Sequence, residues 1–63
     1  MENKTKVKLI GEDGNIFNLV GIASRALIRD GKKQEAEEMK QKVFSSHSYH
    51  EALSVIMNYC EVD

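Results

Sequence analysis

The run Asn15 to Asp30, NIFNLVGIASRALIRD, constrains the fold more than any other part of this chain. Wound as a helix at about 100° per residue, it brings Ile16, Leu19, Val20, Ile22, Ala23, Ala26 and Leu27 onto one broad face, which Phe17 and Ile28 widen at its sides. Only a narrow polar stripe is left, made of Asn18, Gly21, Arg25 and Arg29. A helix that is apolar around most of its girth must be covered on more than one side, so it belongs at the centre of the molecule. The 63 residues allow one domain, at the small end of what folds alone.

Ahead of this helix, Thr5 to Ile10 reads as a strand. Its β-branched Thr5, Val7 and Ile10 suit a pleated surface, and Val7 and Leu9 alternate with Lys6 and Lys8. Residues 1–4 are polar and terminal, and fraying is expected there. Between strand and helix, Gly11-Glu12-Asp13-Gly14-Asn15 is a turn by composition, with two glycines free to take positive φ and Asp13 or Asn15 placed to cap the helix. A competing reading makes Asp13-Gly14 a hairpin turn and Ile16 to Val20 a second strand, which leaves the rest of the helical pattern unused.

Gly31 stands where a helix-ending glycine belongs. A second helix is expected over Lys33 to Ser45, with Ala36, Met39, Val43 and Phe44 on one face and Glu38 and Lys42 spaced for an i,i+4 ion pair. Ser48-Tyr49-His50-Glu51 fits a capping box, so a third helix starts at Tyr49. Its inward face is Tyr49, Ala52, Leu53, Ile56 and Cys60, flanked by Val55, Met57 and Tyr59. From Cys60 to Asp63 the pattern alternates, which allows a short strand beside Thr5 to Ile10 with Lys6 and Lys8 opposite Glu61 and Asp63; its direction is open at this point. The fold class is therefore a small α+β domain: a strand, three helices packed around the first of them, and a short C-terminal strand.

Composition narrows the function. At 41% hydrophobic and 30% charged residues, with no proline, the chain is globular and not disordered. The single Cys60 excludes an intramolecular disulfide, and the N-terminal stretch holds no apolar run long enough for a signal core or a membrane span, so a cytoplasmic location without membrane contact is expected. A net charge of −1 builds in no bulk attraction to nucleic acid or anionic lipid.

Each candidate site competes with a plainer reading. His47 and His50 have only Cys60 as a further ligand of metal type, fewer than a zinc site needs, so no metal and no cofactor are expected. Cys60 lies on an inward helix face, where cysteine acts as a small hydrophobe and not as a nucleophile. The glycines of GEDG precede a helix, but Glu12 and Asp13 repel a phosphate. Arg25, Arg29, Lys32 and Lys33 form the local basic concentration; they complement the dipole at a helix end or make a small nucleic-acid contact, and Glu35, Glu37 and Glu38 dilute their field. In the stripe of Asn18, Gly21, Arg25 and Arg29, the glycine costs about 1 kcal/mol against alanine, so either the chain itself or a partner approaches the backbone there.

The residues GEDGNIF (Gly11 to Phe17), Gly21, Arg25-Ala26-Leu27, Gly31, Ser48-Tyr49 and Ala52-Leu53 resemble a group of short bacterial proteins that travel with phages, plasmids and integrated mobile elements and share a GEDGNxF…RAL…G pattern. The likeness spans Val7 to Val62. No reaction or ligand comes with it; it implies an accessory role in a mobile element, through contact with a host or element protein. Ser45 to His47 and Cys60 depart from the pattern, and nothing is carried over to them. The expectation is thus a protein–protein interaction module, an adaptor or inhibitor with a homodimer as one form, with Phe17, Ile28 and Met57 left at the edges of their faces. The alternative is a weak nucleic-acid-binding protein using Arg25, Arg29, Lys32 and Lys33. No constellation supports an enzyme.

Overall fold

In the computed structural model, which describes residues 4–63, the chain runs β1 (Thr5–Val7), α1 (Ile16–Arg29), α2 (Lys33–Phe44), α3 (Tyr49–Tyr59) and β2 (Cys60–Val62). The hairpin alternative does not form, since Ile16 to Val20 is the first part of α1. Of the segment expected to fray, Met1 to Asn3 lie outside the described residues, while Lys4 Nζ donates to the Met57 carbonyl at 3.1 Å.

β1 and β2 pair in parallel, with Thr5 opposite Cys60, Lys6 opposite Glu61 and Val7 opposite Val62. A parallel pair needs a long crossover, and all three helices supply it. β1 is shorter than the alternation of Thr5 to Ile10 suggests. Asp63 N donates to the Val7 carbonyl at 3.0 Å, and then the Leu9 and Ile10 amides both turn to the Asp63 carbonyl at 3.1 Å. Two donors converging on one acceptor end the alternation, and Ile10 leaves the sheet.

The turn that follows is built for the entry to α1. The Glu12 amide closes on the Leu9 carbonyl at 3.1 Å, with Gly11 at φ +88°. Asp13 Oδ1 accepts from the Asn15 amide at 2.9 Å, and Asn15 Oδ1 accepts from the Phe17 amide at 2.8 Å, which satisfies one of the orphan donors of the first turn. Both acidic and amide side chains therefore act, in series. α1 ends in a Schellman motif: Gly31 takes φ +78°, the Lys32 amide reaches the Leu27 carbonyl at 2.8 Å and the Gly31 amide the Ile28 carbonyl at 3.0 Å.

α1 packs against α2, α3 and β1, as its broad apolar face requires. Leu27, Met39, Ile56, Thr5 and Cys60 are the largest side chains shut off from solvent, so all three helices and both strands meet at one core. Ser24 is also buried; with Ala23 and Ala26 it makes a small-residue surface on which neighbouring elements sit close.

Four details depart from the sequence reading. Phe44, placed on the inner face of α2, is exposed, beside Phe17 and Ile28, which the sequence already leaves at the edges of their face. Phe17 and Phe44 instead cover each other, with ring centroids 5.7 Å apart and planes tilted by 33°. Tyr49 is half out of the core because its hydroxyl donates to the Gly14 carbonyl. The Glu38–Lys42 pair is replaced by a shared contact with Tyr59: its hydroxyl donates to Glu38 Oε1 at 3.4 Å and Lys42 Nζ lies 5.3 Å from its ring centroid, while Lys40 pairs with Glu37 at 3.5 Å. The capping box of α3 is also stretched by one residue, since Ser48 Oγ accepts from the Glu51 amide at 3.0 Å but Glu51 Oε1 accepts from the His47 amide at 2.8 Å.

Candidate functional site

Because Leu9 and Ile10 swing off the sheet edge toward Asp63, the loop that follows stands away from α3, and a groove of about 310 Å³ opens between them. Leu9, Leu19, Leu53, Ile56 and Val62 form its floor, and Ile10, Tyr49 and Met57 stand along its sides. Ile10 is 72% exposed and Met57 55%. The charged residues lining it are Glu12 and Asp63, both acidic. The Tyr49 hydroxyl on the Gly14 carbonyl pins the loop to the start of α3, so the wall is held and the groove is preformed.

Tyr49 also borders a second hollow, of about 360 Å³, beside Ile16, Val43, Phe44 and Ala52. The ring therefore joins the groove to the Phe17–Phe44 pair, and the apolar surface runs from Ile10 and Met57 across Tyr49 to Phe44 and Phe17. Sequence reasoning put Tyr49 inside and gave Ile10 to the strand. A tyrosine one residue after a helix cap, with a turn rich in free carbonyls elsewhere in the chain, is the signal that could have marked it as a rim residue.

The polar stripe of α1 divides. The Asn18 side-chain amide donates to the Asp13 carbonyl at 2.9 Å and is used in tying the turn to the helix. At Gly21 an added Cβ would lie 3.5 Å from Arg25 Nη1, an ordinary contact, so the group that approaches this glycine is the guanidinium one turn further on. Arg25 and Arg29 line a shallow groove of about 340 Å³ together with Lys6 of β1 and Lys8 just beyond it, over a floor of Val7, Ile22 and Ala26. Lys32 and Lys33 do not line it: Lys32 caps α2 and Lys33 is its first residue. Of the four basic residues grouped by the sequence, this groove takes Arg25 and Arg29, and the packing of β1 on α1 adds Lys6 and Lys8. Arg29 Nε also meets Asp30 Oδ1 at 3.3 Å on the surface.

His47 and His50 are both exposed at the start of α3, and among the described residues no group of three or more His, Cys, Asp or Glu side chains is arranged to hold a metal ion. Cys60 is buried at the start of β2, opposite Thr5 of β1, and loss of hydration pushes its thiol pKa up, so the reactive thiolate is disfavoured. None of the helices formed by the described residues is long and apolar enough to cross a membrane. No protein-family model, curated protein or solved structure matches this chain.

Proposed function

We propose that the protein is a small protein–protein interaction module that takes an apolar segment of its partner into the groove between the Leu9–Gly14 loop and α3. The observation that carries this reading is the exposure of Ile10, Tyr49 and Met57 around a groove already shaped and already apolar. An exposed, contiguous apolar surface with polar groups at its rim is the usual mark of a binding surface. Glu12 and Asp63 at the rim favour a partner segment carrying lysine or arginine beside its apolar side chains. The likeness to proteins of mobile elements supports an accessory role, as adaptor or inhibitor, in the cytoplasm. A second copy is one such partner, with Phe17 and Phe44 adding area beyond the groove.

The test compares the wild-type protein with a folded Ile10→Asp plus Met57→Glu variant, as bait in cell extract and by light scattering. The reading expects a defined partner or a dimer for the wild type, lost in the variant with its helical circular dichroism unchanged. A monomer that captures nothing, or a variant that captures the same partner equally well, would overturn it.

A further inference from the structure

We propose that the groove between β1 and α1 is a contact site for the phosphodiester backbone of nucleic acid, separate from the apolar groove. Lys6 and Lys8 stand on the outward face of the strand segment, two residues apart and so about 6.6 Å along it. Arg25 and Arg29 are one turn apart on α1, about 6 Å along the axis. Two short rows of cations thus border one channel, at an interval comparable with that of successive phosphates.

Among the described residues, no carboxylate lines this groove. Asp30 engages Arg29 from outside it and Glu61 stands opposite Lys6 across the sheet, yet among the described residues neither Lys6, Lys8 nor Arg25 is held in an ion pair. Arginine offers a phosphate two parallel N–H donors, and lysine a mobile point charge. No aromatic ring lines the groove, so bases have nothing to stack on and no edge is read. Contact is therefore with the backbone and independent of sequence. With a net charge of −1 overall, attraction is local, and binding is weak and sensitive to salt.

The experiment is fluorescence anisotropy of a short labelled duplex DNA titrated with the full chain, from low salt upward. Three to four phosphate contacts give a slope of about −3 in log affinity against log salt. Lys6→Gln plus Arg25→Gln weakens binding by about tenfold or more at low salt and lowers that slope by about two. Lys8→Gln alone, as a milder variant, lowers it by about one. Lys33→Gln plus Lys40→Gln makes the same charge change away from the groove and leaves the affinity unchanged, as does Met57→Glu. Any of three results overturns the proposal: no anisotropy change at low salt, equal weakening by the two double variants, or competition by polyglutamate as strong as by unlabelled DNA. The last would point to an acidic protein.

Discussion

The Tyr49 hydroxyl donates to the Gly14 carbonyl, a contact that spans 35 residues and ties the loop opening α1 to the first residue of α3. It satisfies a turn carbonyl and holds one wall of the apolar groove at the same time. Tyr49→Phe keeps the ring and removes the bond. Since the carbonyl can turn to water instead, the loss is modest, about 0.5–1 kcal/mol. Thermal unfolding should show a midpoint lower by about 2–8 °C. Amide exchange at Gly14 to Ile16 should quicken more than at the centre of α1. Unchanged exchange there would mean that the loop is held by its own backbone bonds.

The two glycines that bracket α1's second half should respond to alanine with opposite sign. At Gly31 the backbone sits at φ +78°, a region that costs an L side chain about 1–2 kcal/mol, and Gly31→Ala should lose that much stability. Gly21 is helical, and a Cβ there meets only the end of the Arg25 side chain at 3.5 Å. Gly21→Ala should therefore gain up to about 1 kcal/mol from helix propensity. Urea midpoints of the two variants decide it; a destabilised Gly21→Ala would show that the backbone at that turn has to stay bare.

Thr5 and Asp30 link stability to pH. Thr5 is shut off from solvent and, among the described residues, its Oγ1 has no partner in hydrogen-bond geometry; the Asp30 carboxyl is held below the ordinary 3.8, with the Thr5 hydroxyl the leading cause and Arg29 the next. A carboxyl lowered in the folded state adds stability above its unfolded pKa, and that contribution is lost as pH falls through the lower, folded value. Thr5→Val replaces the buried hydroxyl with a methyl and removes the contact. At pH low enough to protonate Asp30 the variant should be the more stable, by about 1 kcal/mol. That advantage should shrink as pH rises through the carboxylate range, because the variant keeps only the part of the Asp30 contribution that comes from Arg29 and Lys32. Denaturant midpoints measured from acid to neutral pH test the trend, and an advantage that grows with pH would exclude the contact.

Much of the fold was legible because its signals are local. The apolar girth of Ile16 to Leu27 identified the central helix, Gly31 its end, and Ser48 the start of α3; each depends on residues within a turn or two of one another. The pairing of Lys6 with Glu61 was also readable from alternation and charge. The interaction surfaces were less so. Ile10, Glu12, Tyr49, Met57 and Asp63 come from three separate parts of the chain, and no periodicity within one segment relates them. The same holds for Lys6 and Lys8 beside Arg25 and Arg29.

Sequence by itself thus determined the elements, their order and which faces must be hidden, since helical and strand periods and turn chemistry are set by near neighbours. Tertiary structure alone decided that the strands run parallel, that Phe44 and Tyr49 stay in contact with solvent, and which cations share a groove. The reason is the limited supply of covering surface. Two helices and two short strands can close over α1, but they leave over whatever apolar surface lies past their ends, and where that remainder falls depends on how distant segments dock.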